Sequence, residues 1–334
     1  MFTAWHAVRT LAYMTNIMPN TPMPAVSPIA IAIVVYDGAQ MSAVLGLEDL
    51  FIIANRHAAR NGLSALRVVT LDVCDLTADP ATVYAAVIMP PNLSGARGGA
   101  DKPITGFLQD QHRQGCTICS ACAGVFWLGE AGLIDGRPVT THWALEAEFQ
   151  ARFPQSDLRA DQILIDDNDI VTAGGMMAWV DLGLFLVERH LGIHSLSYTA
   201  RQLLVDPRGR QQSNYRTFRP ELAHGDPSIL RLQHWMEAHF ADDLSVRNLA
   251  KYALFSERTF VRRFTAATGI SPNRYVQALR VEKARAMLEQ TRRTVQDIGW
   301  SVGYQDIAAF GRVFKSLTDT SPVDYRKRFG VRTS

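Results

Sequence analysis

Over the first two hundred residues, apolar runs alternate with amphipathic stretches. Residues 29–36 form an unbroken apolar run rich in Ile and Val, the pattern of a parallel strand buried on both faces. Asp37-Gly38 turns the chain, and from 45 to 59 the apolar positions recur with helical spacing. Residues 66–71, 84–89 and 117–121 read as further strands, with helical stretches between them. Such alternation implies right-handed crossovers and predicts an α/β domain built on a doubly wound, flavodoxin-like parallel sheet. Ligands of such sheets sit at the carboxyl ends of the strands.

After residue 228 only helical patterns remain. Residues 230–240 place Leu232, Trp235 and Met236 on one face, and 246–253 follow as a short helix. The chain turns through Leu254-Phe255, and Ser256 can N-cap a helix over 257–267. In that helix Phe260, Phe264 and Ala267 face inward while Arg258, Thr259, Arg262 and Arg263 project outward. Gly269 stops it. Residues 272–290 keep helical spacing without an internal Gly or Pro, 295–302 form another short helix, Gly303 turns, and Asp306 caps a helix over 307–317. One grammar occurs twice, at Phe260/Phe264/Ser271-Pro272/Tyr275 and at Phe310/Phe314/Ser321-Pro322/Tyr325. The pattern predicts an all-α domain of two helix-turn-helix units joined by one long helix.

A rigid helix between two such units lets both enter successive major grooves on one face of a duplex, about 34 Å apart. The run Ile298-x4-Gly303-Tyr304-x5-Phe310-x-Arg312-x-Phe314-Lys315-x6-Pro322-x2-Tyr325-Arg326 resembles the DNA-binding domain of AraC/XylS-family transcription regulators. Gly299 stands where that family usually has Ala, and Asp319 where it usually has Gly. Asp tolerates a left-handed backbone better than most residues, so the second departure predicts only a small stability cost. By position in the resembled motif, Arg258, Val261 and Arg262 in the first unit, and Ala308, Gly311 and Arg312 in the second, face base edges, with Thr259 on the same surface. Arg263, Lys315 and Arg326 are placed as phosphate contacts.

Charge sharpens this division. The segment from residue 228 onward holds 18 Lys and Arg against 10 Asp and Glu, whereas the preceding part holds 16 against 22. A surplus of positive charge confined to one domain suits a phosphate-facing module joined to an acidic partner domain. No apolar run reaches the length of a membrane span, and all four cysteines precede residue 123, which argues for a reducing compartment and against a disulfide scaffold. Residues 1–28 carry one Arg and no compact apolar core or small-residue cleavage site, so they read as a disordered leader rather than a secretory signal. Residues 205–227 are polar and Pro/Gly-rich, a linker.

Candidate chemistry in the first domain centres on Ser120-Ala-Cys122-Ala-Gly124, at a strand end and directly before an apolar helix. Small neighbours are what a strained strand-to-helix elbow needs around a nucleophile, and the helix N-terminus would favour thiolate at Cys122. His142 follows in Thr140-Thr141-His142-Trp143. The passage over 120–143 resembles the DJ-1/PfpI, glutamine-amidotransferase-like superfamily, most of all the branch fused to an AraC-type domain. Thr172-Ala-Gly-Gly175, the following helix with Asp181, and Asp206-Pro-Arg-Gly-Arg210 share that resemblance. In enzymes of the superfamily an acidic side chain from the first loop contacts the cysteine, and a Pro-Gly-Gly turn after the third strand supplies oxyanion amides. Here the first loop places Ser42 or Ala43 at the acidic position, and the third strand ends in Met89-Pro90-Pro91-Asn92, where Pro91 has no N–H to donate. Both losses point to a retired active site used as a small-molecule pocket, with Cys122, His142, Asn92, Gly38, Gly174 and Gly175 as its candidate lining.

Two blander readings stay open: Cys122 as a small residue filling the elbow, and His142 as a satisfied structural imidazole. Cys116-x2-Cys119-x2-Cys122 has an iron-sulfur-like spacing, but residues three apart on a strand point to opposite faces, so no metal and no cofactor are expected. Glu48-Asp49 reads as helix surface or a rim contact. The organisation expected is therefore a leader over 1–28, a DJ-1/PfpI-like sensor domain over 29–204, a linker over 205–227 and an AraC-type domain over 228–330. The function expected is a cytoplasmic, homodimeric transcription activator that binds double-stranded DNA, works with RNA polymerase and responds to a small-molecule effector. The resemblance implies an amine or amino-acid derivative, since characterised relatives of the branch govern breakdown of small nitrogen compounds. Alternatives are a redox-responsive regulator, in which Cys122 is oxidised and Cys119 resolves it, and a hydratase or amidase fused to a DNA-binding domain.

Overall fold

β1 (Ile29–Val35) lies between β2 (Leu66–Asp72) and β3 (Ala86–Met89), and all three run parallel. In the computed structural model, which describes residues 27–76, 82–95, 102–207, 212, 215–218 and 220–330, the sheet continues through β4 (Thr117–Ala121), β8 (Ile170–Ala173) and β7 (Leu164–Asp167), in the order β2-β1-β3-β4-β8-β7. The leader expected over residues 1–28 lies, as far as residue 26, outside the described residues. Every neighbouring pair is parallel except β7 with β8, which run antiparallel because Asn168 takes a left-handed backbone (φ 62°) and closes a hairpin there. The sheet is thus mostly rather than wholly parallel. Strand β3 begins two residues later than its apolar run suggests, since the amide of Tyr84 donates to the buried side chain of Gln111 instead of a ladder partner.

Period-two alternation divides the strand side chains between two cores. Ile31, Ile33, Ala86 and Ile88 pack with α1 (Met41–Arg60) and α5 (Trp179–Leu203). Ala32, Val34, Val87 and Met89 pack on the other face with α2 (Lys102–Arg113), α3 (Val125–Glu130) and Phe149 of α4 (Glu146–Arg152). A small parallel pair, β5 (Pro138–Val139) with β6 (Asp157–Leu158), stands apart. Helix α5 is broken at Gly192, whose φ of 81° and ψ of 171° are not helical.

The chain divides into two compact units, Met1–Gly209 and Arg210–Ser334. The second comprises α6 (Pro227–Ala238), α7 (Val246–Tyr252), α8 (Glu257–Thr268), α9 (Pro272–Gln290), α10 (Val295–Ser301), α11 (Ile307–Thr318) and α12 (Pro322–Phe329). Side-chain caps set most of the starts: Ser245, Ser256, Thr294, Asp306 and Ser321 each accept from an amide in the first turn. The α6 helix begins at Pro227, inside the expected linker, because Asp226 caps it by accepting from Ser228 and Ile229. Tyr215 and Phe218, also within that polar stretch, carry rings that pack on Phe329 (5.6 Å) and Tyr275 (5.1 Å), so this part of the segment belongs to the second unit.

The sequence repeat is a repeat in space. Phe264 meets Phe260 at 5.4 Å and Tyr275 at 5.2 Å; Phe314 meets Phe310 at 5.7 Å and Tyr325 at 5.4 Å. Each half buries its own apolar cluster, and full burial of such side chains contributes roughly 1.5–3 kcal/mol apiece.

Candidate DNA-reading face and effector pocket

Inward-facing Phe260 and Phe264 fix the rotation of α8, which turns Arg258, Val261 and Arg262 to solvent. Neither Arg258 nor Arg262 makes a hydrogen bond or ion pair among the described residues. In α11 the same rotation exposes Ala308, Arg312 and Lys315, and nothing stands within 4 Å of where a Gly311 side chain would begin. Arg312 lies 3.6 Å from Asp306 with 71% of its side chain exposed, so the pair is open to solvent and loosely held. Arg262 and Arg312 occupy equivalent places, each two residues before the second Phe of its unit.

Three residues assigned from sequence to the DNA surface are held or enclosed by the fold. Thr259 is half-buried; its amide donates to Ser256 Oγ, and its Oγ1 accepts from the same hydroxyl. Arg263 donates through Nε to Asp226 (2.5 Å) and lies over the Phe255 ring at 4.8 Å, tying α8 to the cap of α6. Burial pulls the Asp226 carboxyl up, but Arg263 and the capped amides outweigh it and its pKa is lowered. Arg326 is half-buried, with Nε and one terminal nitrogen enclosed and unpaired among the described residues. Thr259 is tied up locally by its own N-cap, whereas the hold of Asp226 on Arg263 comes from a tertiary neighbour that helical spacing alone does not reveal.

In the first unit, Cys122 sits at the carboxyl end of β4 with φ 53°, a left-handed conformation that costs a non-glycine residue on the order of 1–2 kcal/mol. The elbow is drawn tight against the end of β3: a Cβ on Gly124 would stand 2.3 Å from the Met89 carbonyl oxygen. Thr141 Oγ1 donates to the Cys122 carbonyl at 2.9 Å. Amides of Ala123 and Gly175 reach the sulfur, yet burial dominates and pushes the thiol up to about 11. The expectation that a helix N-terminus would hold a thiolate fails here, because Cys122 is 4% exposed and the helix that follows is only Val125–Glu130. Beside it, Tyr36 donates to the Pro90 carbonyl (2.5 Å) and meets Trp127 edge-on at 5.4 Å.

His142 is half-buried and does not act on the sulfur: its Nδ1 accepts from the Ala144 amide at 3.1 Å, and its ring tilts on Trp143 at 5.2 Å. Since Nδ1 accepts, the neutral ring carries its proton on Nε2. Burial lowers its pKa. Asn92 and Gly38 form a staple between the loops after β3 and β1. Asn92 Nδ2 donates to the Asp37 carbonyl (3.1 Å), Oδ1 accepts from the Ser94 amide (2.7 Å), and a Cβ on Gly38 would stand 2.8 Å from that same Oδ1. Gly174 spends its amide on the Ile163 carbonyl, while Gly175, at φ 94°, aims its own at Cys122.

Ser42 Oγ accepts from Gln40 Nε2, and Ala43 is fully buried, so neither brings a charge to the loop after β1. Gln40 itself escaped the sequence reading: it is 7% exposed, and its Oε1 has no partner among the described residues. Its position in the Gly38-Ala-Gln loop was the available signal. Cys119 faces one core, and Cys116 and Cys122 the other. Among the described residues no cluster of His, Cys, Asp or Glu has the makings of a metal site, and no helix is long and apolar enough to cross a membrane.

Residues 249–328 match the helix-turn-helix domain family, and residues 66–189 match the DJ-1/PfpI family. The chain is 26% identical over 327 residues to the HTH-type transcriptional regulator GbdR of Pseudomonas aeruginosa, covering 94% of this chain and 88% of that protein. It is 28% identical over 222 residues to the HTH-type transcriptional regulator ArgR of the same species, covering 66% and 67%. Among solved structures, an AraC family transcriptional regulator from Pseudomonas putida aligns with 53% of this chain and 100% of its own, at 18% identity and a TM-score of 0.45.

Proposed function

This chain is an AraC-family helix-turn-helix transcriptional regulator with an amino-terminal DJ-1/PfpI domain, and we propose that it reads an operator through α8 and α11 together, under control of a small molecule held beside Cys122. The observation that carries the first half is the equivalence of Arg262 and Arg312, both exposed on helices of identical build. Arg to guanine is the commonest specific contact in the major groove, and the small Ala308 and Gly311 permit close approach or contact with a thymine methyl. Arg258, Val261 and Lys315 complete the surface.

The second half rests on what the elbow lacks. A thiol raised by burial to about 11, a histidine occupied with a neighbouring amide, and no carboxylate at Ser42 or Ala43 make poor acyl-transfer machinery. They leave Cys122 at the carboxyl end of its strand, beside Tyr36, Trp127 and Gly175, where binding of a reversible ligand is the reading we favour. The effector we favour is an amine or amino-acid derivative, and the protein acts in the cytoplasm as a homodimeric activator that engages RNA polymerase. Ligand control requires the effector to favour one arrangement of the protein by about 1–3 kcal/mol.

A thermal-shift panel of amines, amino acids and betaines on wild-type and Cys122→Ala protein, with and without peroxide, tests this. A ligand that stabilises both proteins supports reversible sensing. A peroxide shift lost in the variant, with no ligand found, favours oxidation of Cys122 instead. Turnover of any panel compound that is lost in Cys122→Ala would restore the enzymatic reading.

A further inference from the structure

Arg280 stands at the middle of α9, where the two helix-turn-helix units meet. Its Nε donates to the Phe240 carbonyl at 2.8 Å, and a terminal nitrogen donates to the Asp242 carbonyl at 2.7 Å. Both carbonyls belong to the connection between α6 and α7, part of the first unit. The same guanidinium lies over the ring of Tyr304, at the turn of the second unit, 5.5 Å from its centroid. The preceding residue leaves no slack: a Cβ on Gly303 would stand 2.6 Å from the Ala241 carbonyl oxygen and 2.7 Å from Arg280 itself. Two segments, one from each unit, thus converge on one planar side chain carried by α9.

Little else holds them at this place. A cavity of about 420 Å³ opens beside the contact, lined mainly by polar side chains such as Asp242, Ser245, Gln277 and Gln305, with Leu244 and Val276 at its apolar wall. The two apolar clusters lie in separate halves and share Phe240 at their edge. Elsewhere the segment carrying Tyr215 and Phe218 spans the two units, packing on Phe329 and Tyr275, and Lys283 pairs with Glu237; at the connection between α6 and α7, Arg280 is the side chain that meets both units directionally. A lysine cannot take over the role, because a point charge cannot direct two donors and a flat face at once.

We propose that Arg280 sets the pitch between the two reading helices and thereby makes the regulator selective for one spacing between the operator segments that α8 and α11 contact. This rests on the reading that both helices enter DNA. One base pair of added spacing rotates the second segment by about 34°, since the duplex turns once in about 10.5 base pairs. A joint held by a directional clasp penalises that rotation, and a joint without one follows it.

The test uses full-length protein and an operator selected by the wild type from a random duplex library, rebuilt with one base pair removed from or added between its two halves. Wild type should lose about tenfold or more in affinity on either altered spacing, comparable to a mismatched base pair. Arg280→Lys should bind the original operator about three- to tenfold more weakly and lose less than about threefold further on the altered ones. Gly303→Ala, which forces the same junction from the other side, should flatten or shift the spacing profile too, so the test does not hang on one variant folding. A role in stability alone would lower affinity equally at all spacings; an unchanged relative penalty in both variants therefore overturns the proposal. Wild type indifferent to spacing, with Arg312→Ala binding normally, would instead overturn the two-helix reading on which it rests.

Discussion

Leu254 and Gly303 occupy the same place in the two helix-turn-helix units. Each lies nine residues beyond the capping residue of its first helix, Ser245 or Thr294, and each takes a left-handed backbone, at φ 58° and 88°. Their amides donate to the Lys251 and Trp300 carbonyls, and the amides that follow donate to Ala250 and Gly299. Only the second unit supplies the residue that this conformation favours. Leucine in that region costs on the order of 1–2 kcal/mol, and at 90% exposure it recovers nothing by burial.

Leu254→Gly should therefore stabilise the helical unit. Relief of backbone strain is opposed by the greater entropy of glycine in the unfolded chain, about 0.5–1 kcal/mol, so the net gain expected is about 0.5–1 kcal/mol. Urea denaturation followed by helix circular dichroism would read it as a raised midpoint at unchanged slope. A lowered midpoint would mean that Leu254 makes a contact worth more than its strain.

Arg263 and Arg312 should separate cleanly. Arg312→Ala is expected to weaken operator binding by roughly 1–3 kcal/mol and to relax preference at one position, because the side chain is exposed and free to reach a base. Arg263→Ala removes the contact to Asp226 and the stacking on Phe255, which should cost about 1 kcal/mol of stability and leave base preference as it was. Binding profiles over a randomised operator, paired with denaturation curves, distinguish the two; a relaxed preference in Arg263→Ala would return that residue to the DNA surface.

What the sequence made legible was local. Hydroxyl and carboxylate caps, the spacing of Phe260, Phe264 and Tyr275, and the recurrence of that spacing at Phe310, Phe314 and Tyr325 are set by neighbours within a few turns, and the structure builds the same core twice on them. Even Asp319 takes the left-handed backbone (φ 56°) expected of it, with Thr318 bridging the Phe314 and Thr320 carbonyls as Thr268 bridges those of Phe264 and Ile270. Residues whose surroundings the sequence did not show depend on partners far along the chain. Arg263 is held by Asp226, thirty-seven positions away, Asn92 by Asp37, fifty-five away, and Tyr84 by Gln111, twenty-seven away. The same distance effect hid the docking of Tyr215 and Phe218, whose polar surroundings read as linker.

His142 gives a prediction in pH. Burial depresses its pKa, so the folded protein resists a proton that the unfolded chain accepts near the ordinary value of about 6.5. Stability is therefore intact above about 6.5 and falls as pH drops through that value toward the lower folded pKa, where the loss levels off. Protonation would also break the bond from the Ala144 amide to Nδ1. His142→Asn keeps an acceptor for that amide and no longer titrates, so its thermal midpoint should fall less steeply with acid than the wild type. Parallel curves for the two proteins would show that His142 does not contribute to the acid sensitivity.

Cys122 gives the prediction that separates the sensing mechanisms. With its thiol pushed up to about 11, ionisation at pH 7.5 is on the order of one part in several thousand, against roughly a tenth for a free cysteine of pKa about 8.5. Alkylation by iodoacetamide requires thiolate and access, and Cys122 is buried while Cys74 is exposed. Mass spectrometry of the native protein should find Cys74 modified at least about a hundredfold faster, with the rate at Cys122 rising nearly tenfold per pH unit between pH 8 and 9.5. Because a raised thiol pKa is also a stability term, wild type should lose stability between about pH 8.5 and 11 beyond what Cys122→Ala loses. Labelling of Cys122 as fast as Cys74 at neutral pH would mean an ionised, accessible sulfur, and the oxidation-sensing reading would then displace the ligand pocket.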